Sequence, residues 1–444
     1  MDQIISYVNI VVYILIWIVT IIIYQRKRRH FDAGSMLLSL FLVYSIASLF
    51  LYNNRDDFGL IRFFPFVYLY LMFMLASSPV LKFNSYKIKE IQRPNLFLVR
   101  MLSLVFIAAT LPSLPSILTN FYLGFKLMSV DMAAAGDIYN ETMADSYNSL
   151  GDGRISNLRS IVSNCFTNFG VLLLFYNLTL KKQSKFISVG ILLSCLTLVI
   201  GNIAISQRGP VVDILLNLVI TYLAFKKFLP TKTCNLVRRV GVIILTFVFV
   251  SILAITIGRF QNWGDGPLVS IYNYAGQQNL SFNKYGLDNG GLRYGDRTFP
   301  LFKRMLGFEN VPKSFWERRA KYPNLKVNDE TFISFVGDFT LDFGPFIAPI
   351  IFLVFTLFVL QKTRIRNGGI AFHQLILLHF VMCVCVQGGL KLYSFADGGN
   401  LQVILYILLY CVFRFDRDYR IFKNKKIVSL ENDFQGIKLL SSNE

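Results

Sequence analysis

Residues 4–29 read IISYVNIVVYILIWIVTIIIYQRKRR: from Ile4 to Tyr24 there is no Asp, Glu, Lys, Arg or His, and the basic residues Arg26, Lys27, Arg28 and Arg29 follow at once. A helix needs about 20 apolar residues to cross the hydrocarbon layer of a membrane, so this stretch reads as a spanning helix with a cationic anchor behind it. It is too long for the apolar part of a secretory signal peptide and lacks a small-residue cleavage site, so retention is expected. Similar runs lie near 35–52, 64–82, 96–122, 157–179, 186–206, 210–228, 240–258, 331–361, 370–390 and 400–415, which makes eleven in all. Composition agrees. At about 150 residues per domain, 444 residues would suggest roughly three soluble domains. However, 54% of the chain is apolar and only 16% charged, against roughly 25% charged in ordinary globular chains. Disorder, a collagen-like repeat and a disulfide scaffold are excluded on the same grounds.

The net charge of +19 is topological rather than a sign of nucleic-acid binding. Lys and Arg in short loops mark the cytoplasmic side, and every second linker is basic: 26–29, Lys82 to Arg93, Lys181 to Lys185, Lys226 to Arg239, and Lys362 to Arg366, followed by the tail from Arg414 to Lys426. The intervening linkers are mixed or acidic. Eleven spans with this alternation put the amino terminus outside and the carboxyl terminus in the cytoplasm. The expected organisation is an all-α polytopic membrane protein. Residues 1–258 form the first eight helices, with an acidic external loop at 123–156. Residues 259–330 form an external cap, 331–415 the last three helices, and 416–444 a basic cytoplasmic tail. The acidic loop, with MAAAGD near its start, is expected to hold a short helix lying on the cap. The cap is too long to be a mere connection and too aromatic to be disordered.

Charge is sparse inside the runs: Arg100 and Asp213 lie near span ends, and His373 and His379 lie in the tenth run. A transporter would carry ionisable groups at mid-span, so the chemistry is expected at the outer surface. There, Ser206-Gln207-Arg208-Gly209-Pro210 makes a tight turn into the seventh run, and Pro210 suits the first turn of a helix. A helix amino terminus attracts anions, and Arg208 adds a planar fork matched to phosphate. Arg259 ends the eighth run on the same side, and Arg293 and Arg297 follow in the cap, so the four are candidates for a diphosphate clamp. Arg304 is a further cap cation. Asp338 and Asp342 are four residues apart, which places them on one face of a helix. They read either as partners of the cap arginines or as a base for a sugar hydroxyl. Asp397, Tyr272, Tyr274 and Tyr294 are candidate substrate contacts. Asp342-Phe343-Gly344 lacks any kinase context, and Asp416-Arg417-Asp418 lies among cytoplasmic basic residues. His373 and His379 are about 240° apart around a helix, and the six cysteines are scattered. No metal site, disulfide framework or cofactor is expected.

Together the Ser206 to Pro210 turn, the large external loop and the Asp338 to Gly344 segment, set in a many-helix frame, resemble the Wzy-type oligosaccharide repeat-unit polymerases of O-antigen and capsule synthesis. The likeness covers roughly residues 186–400. It implies a GT-C-like fold and an inverting, metal-independent glycosyltransferase in the bacterial cytoplasmic membrane. Donor and acceptor are polyprenyl-diphosphate-linked oligosaccharides, and a chain-length regulator and a flippase are the implied partners. Arg208 and Arg259 would then neutralise the leaving diphosphate, and Asp338 or Asp342 would serve the attacking hydroxyl. Some members carry an Arg-x10-Gly pattern in paired loops, and neither Arg208, Arg259 nor Arg293 matches it. The related O-antigen ligases are associated with an external histidine, which this chain lacks. A lipid-linked oligosaccharide flippase is the competing expectation, but it would require cationic residues through the depth of the membrane.

Overall fold

The computed structural model describes residues 1–55, 57–141, 158–182, 184–260, 266–327, 331–365, 368–391 and 396–441. They form helices α1 (Asp2–Arg28), α2 (Ala33–Asn54), α3 (Phe63–Lys82), α4 (Leu96–Thr110), α5 (Leu114–Val130), α6 (134–141), α7 (Leu158–Thr179), α8 (Lys185–Ala204), α9 (Arg208–Phe225) and α10 (Thr231–Phe260). They continue with α11 (Gly266–Tyr285), α12 (Pro300–Met305), α13 (Phe315–Lys321), α14 (Ser334–Phe343), α15 (Ile347–Lys362), α16 (Phe372–Gly388) and α17 (Ala396–Ser441). Among the described residues, eight helical stretches are long and apolar enough to cross a membrane, and α15 and α16 are shorter apolar helices. This is an all-α membrane architecture.

The apolar runs all fall on helices, but two of them are interrupted. The run at 96–122 bends through a 3-10 turn at Leu111–Ser113 and resumes as α5, because Pro112 has no amide hydrogen to give the helix. The run at 331–361 breaks at Gly344, whose φ of 85° favours glycine, with Pro345 immediately behind it. The result is a short buried helix, α14, followed by the 16-residue α15.

Two short strands depart from the all-helical expectation. β1 (Glu90–Gln92) and β2 (Gly369–Ala371) pair in parallel, with Ile91 opposite Ile370. They belong to two of the basic linkers and tie them together. Other basic linkers reach the same end: Arg28 donates to the Leu81 carbonyl, Lys227 to the carbonyls of Tyr86 and Ile88, and Arg420 to that of Arg93. The opposite end gathers the start of α1, the end of α2 and the residues before α3, where Tyr7 donates to Asn53 and Asn9 to the Ile61 carbonyl. Residue 62 is bonded through both its backbone groups to Asn283 of α11.

The stretch expected as one external cap, 259–330, is divided. Residues 266–285 are not loop: α11 lies along α2, where Gly276 leaves room for the backbone of Ala47 and Ser48. Ser48 Oγ donates to the Gly276 carbonyl at 2.9 Å, and Asn279 Nδ2 donates to Ser48 Oγ at 3.0 Å. Small residues and side-chain hydrogen bonds are the usual adhesive between helices in a membrane. The layer lying outside the helix bundle, the outer layer of the protein, is 286–327 with α12 and α13. The short helix expected in the acidic loop is α6, and it rests on the end of α10, where Gly258 faces Met132 and Ala135; residues 142–157 of that loop lie outside the described ones. An aromatic part of the apolar core links α1, α2 and α3 through Trp17, Phe41 and Phe73.

Candidate functional site: an arginine pair beside a polar cavity

The Ser206 to Pro210 turn is closed by Gln207 N donating to the Asn202 carbonyl at 2.9 Å, with Ser206 at a φ of 54°. α9 starts at Arg208 with no side chain capping it, so its first amides are unsatisfied by the helix itself. Arg208 Nη1 donates to Thr256 Oγ1 at 3.2 Å and Nη2 to Ser270 Oγ at 3.1 Å. Its guanidinium lies 4.7 Å from the ring centroid of Phe260 and 4.8 Å from that of Tyr274. Arg259, one helix away on α10, donates to the Ser206 carbonyl at 3.3 Å. Its guanidinium lies 3.6 Å from the centroid of Tyr139 on α6 and 5.3 Å from that of Phe260. The two half-buried cations therefore converge on one phenyl ring. Among the described residues neither has a carboxylate within ion-pair distance. Stacking on aromatic faces offsets part of the desolvation of such charges but leaves their mutual repulsion, which an anion between them would remove.

Arg293, Arg297, Asp338 and Asp342 are brought together, but in a different place. The i, i+4 spacing on α14 does put both carboxylates on one face, and Arg293 bridges them, with Nε donating to Asp342 Oδ1 at 2.7 Å and Nη2 to Asp338 Oδ1 at 3.1 Å. Arg297 Nε lies 3.1 Å from Asp338 Oδ1. The other Asp342 oxygen accepts from the amide of Thr298 at 2.8 Å and from its hydroxyl. Arg293 and Asp338 are each 1% exposed and Asp342 is fully buried. The carboxylates expected to serve a sugar hydroxyl are thus engaged inside the protein, and the two arginines expected in the clamp neutralise them. The cluster fastens the outer layer to α14.

The other expected residues are dispersed. Asp397 pairs with Arg304, Tyr272 stacks on Phe50 with centroids 5.2 Å apart, and Tyr294 is 66% exposed on the outer layer. Tyr274 alone joins the arginine pair, held edge-on against Phe332 at 5.1 Å. A second ion cluster lies in the outer layer, where Asp296 accepts from Lys303, from Lys321 at 2.7 Å and from Tyr322 Oη at 2.7 Å. Burial alone would raise its pKa, but these hydrogen bonds and the lysine charges outweigh that and hold the carboxyl below its ordinary range. Burial, together with the same carboxylate, pushes the Tyr322 hydroxyl up.

Two features went unread in the sequence. Lys391, after the Gly388-Gly389 pair that ends α16, lies 3.3 Å from Asp213 Oδ2. A lone lysine behind two glycines at the end of a span was the available signal. The second is a cavity of about 500 Å³ next to that pair, walled by Asn168, Asn202, Asp213, Gln387, Lys391 and Gln402. The asparagines that weaken the apolar run at 157–179 belong to this wall. Gly209 connects the cavity to the arginine pair: a Cβ there would lie 3.0 Å from Tyr274 Oη and 3.4 Å from Lys391 Nζ. Below the cavity a polar chain enters the bundle. Asn217 Nδ2 donates to Asn168 Oδ1 at 2.9 Å, and the Asn217 oxygen lies 3.0 Å from His379 Nε2, whose other ring nitrogen is 2.8 Å from Tyr406 Oη.

No family model, curated protein or solved structure matches this chain.

Proposed function

We propose that the protein is an inverting membrane glycosyltransferase that polymerises polyprenyl-diphosphate-linked oligosaccharide units at the outer face of the bacterial cytoplasmic membrane, on a GT-C-like frame. The observation that carries this reading is the convergence of Arg208 and Arg259 on Phe260, next to the uncapped start of α9 and with no carboxylate among the described residues to satisfy them. Diphosphate on a lipid carrier is the ligand this chemistry fits: planar donors for the phosphate oxygens, free helix amides for a further oxygen, and surrounding apolar helices for the isoprenoid. Diphosphate is already a good leaving group, so the protein's task is to neutralise charge as it develops on the leaving oxygen, which preorganised arginines do without reorganisation. With the amino terminus outside, the end bearing this pair and the outer layer faces away from the cytoplasm, and the basic linkers joined by β1 and β2 face into it, in keeping with the distribution of positive charge. The buried chain of Asn168, Asn217 and His379 below the cavity contains no Lys or Arg, which disfavours passage of a diphosphate through the bundle and hence a flippase. The test is gel analysis of surface polysaccharide from cells with and without the protein. Loss of the polymer ladder with single repeat units still displayed supports the proposal, whereas loss of all externally displayed units replaces it with a flippase.

A further inference from the structure

The cavity beside the arginine pair is lined by different chemistry, chiefly side-chain amides. Its volume of about 500 Å³ falls within the roughly 300–1,000 Å³ of small-ligand sites. Its amides are fixed: Asn168 Oδ1 also accepts from Gln387 Nε2 at 3.2 Å, Asn168 Nδ2 donates to Gln402 Oε1 at 3.3 Å, Gln402 Nε2 donates to the Asn164 carbonyl at 2.9 Å, and Asn202 Nδ2 donates to the Leu198 carbonyl at 2.7 Å. A wall of positioned neutral donors and acceptors recognises a hydroxyl-rich neutral ligand rather than an anion. Asp213 is the one carboxylate among the described lining residues. Among the described residues it meets a single ion-pair partner, Lys391, and its Oδ1 accepts no hydrogen bond from them, so the group retains acceptor capacity, since a carboxylate offers about four lone-pair sites. It stands five residues after Arg208 on α9, about 7.5 Å along the helix axis at 1.5 Å per residue.

We infer that this cavity binds the acceptor saccharide and that Asp213 takes the proton from its attacking hydroxyl. The inference rests on the polymerase reading above. In the step, the acceptor O–H bond breaks and its proton passes to the Asp213 carboxylate. The oxygen's electron pair forms the new bond to the donor's anomeric carbon. The bond from that carbon to the diphosphate oxygen breaks, and its electron pair leaves on the diphosphate at Arg208 and Arg259. The groups facing Asp213 that will shape its titration are Lys391, Tyr274 from α11, Tyr44 from α2 and Cys383 from α16.

The experiment uses the full chain in lipid nanodiscs, with lipid-linked repeat units extracted from cells lacking the protein serving as both donor and acceptor, and follows polymer formation against pH. Asp213→Asn is expected to slow polymerisation by about 100-fold or more, the range for a lost general base, to remove the acid limb of the pH profile, and to leave the fraction of bound lipid-linked unit unchanged. Gln402→Ala is expected to raise the half-saturating acceptor concentration at an unchanged maximal rate. A rate for Asp213→Asn within threefold of the unsubstituted protein, with the same pH profile, overturns the inference while leaving the polymerase reading intact. If the unsubstituted protein makes no polymer, the polymerase reading itself fails and the inference falls with it. Should Asp213→Asn not fold, Thr167→Trp, which fills the cavity, decides: abolished polymerisation supports the acceptor site and full polymerisation overturns it.

Discussion

Arg208 and Arg259 approach the same ring of Phe260, at 4.7 and 5.3 Å from its centroid, although they come from the start of one helix and the end of another. Two like charges brought this close raise the energy of the empty site and lower that of a site holding a dianion. The arrangement is therefore more useful for binding than for stability, and the surrounding residues should respond to substitution accordingly.

Gly209 sets the spacing between the arginine pair and the cavity. Alanine suits a helix better than glycine by roughly 0.5–1 kcal/mol, so Gly209→Ala should leave thermal stability unchanged or slightly raised. Its methyl group would press on Tyr274 Oη, 3.0 Å away, and polymerisation should fall severalfold. The double variant with Tyr274→Phe removes that oxygen and should recover activity. A Gly209→Ala protein as active as the original would show that the contact is slack.

The Arg293, Asp338 and Asp342 cluster should behave as a structural fastening. Removing one member of a buried ion pair costs about 3–5 kcal/mol, because the remaining charge is left uncompensated. Arg293→Met should therefore lower the unfolding temperature in detergent far more than Arg304→Met, whose exposed Asp397 partner needs no pairing. Equal effects of the two would contradict the burial argument.

Asp296 gives the outer layer a pH dependence of known sign. Its folded pKa is held below the ordinary carboxylate value, so its stabilising contribution is complete above about pH 4, the unfolded value. It is lost as pH falls through the lower folded pKa. Thermal unfolding measured down through that range should drop more steeply for the unsubstituted protein than for Asp296→Asn, which starts less stable. Parallel curves would refute the linkage.

The sidedness can be read chemically. Tyr294→Cys, in the outer layer, should react with a membrane-impermeant maleimide in intact cells above the background of the native cysteines, and Lys27→Cys only after permeabilisation. The reverse pattern would invert the orientation.

The helical frame was legible because long charge-free runs have few alternatives, and Pro112 and Gly344-Pro345 carry the breaks inside two of them. α11 was not legible: GPLVSIYNYAGQQNLSFNKY has too many polar residues for the hydropathy of a span, and its helix is specified by close packing of Gly276 on α2, which needs the partner to be known. The i, i+4 carboxylates of α14 were visible as a pair, but whether they would meet a substrate or a cap arginine depended on the position of Arg293, 45 residues before Asp338 in the chain. Arg208 and Arg259 were visible as cations at helix ends, and their shared ring was not. Lys391 and the amide wall come from five separate helices and the turn after α16, so no local spacing announces them.

The most direct measurement is the affinity of the nanodisc-embedded protein for a polyprenyl diphosphate, compared with the corresponding monophosphate, before and after Arg208→Ala and Arg259→Ala. The arginine-pair account predicts preference for the diphosphate and a loss of at least tenfold, about 1.4 kcal/mol, in each variant, with the monophosphate less affected. Equal affinity of the original protein and both variants for the diphosphate would contradict it.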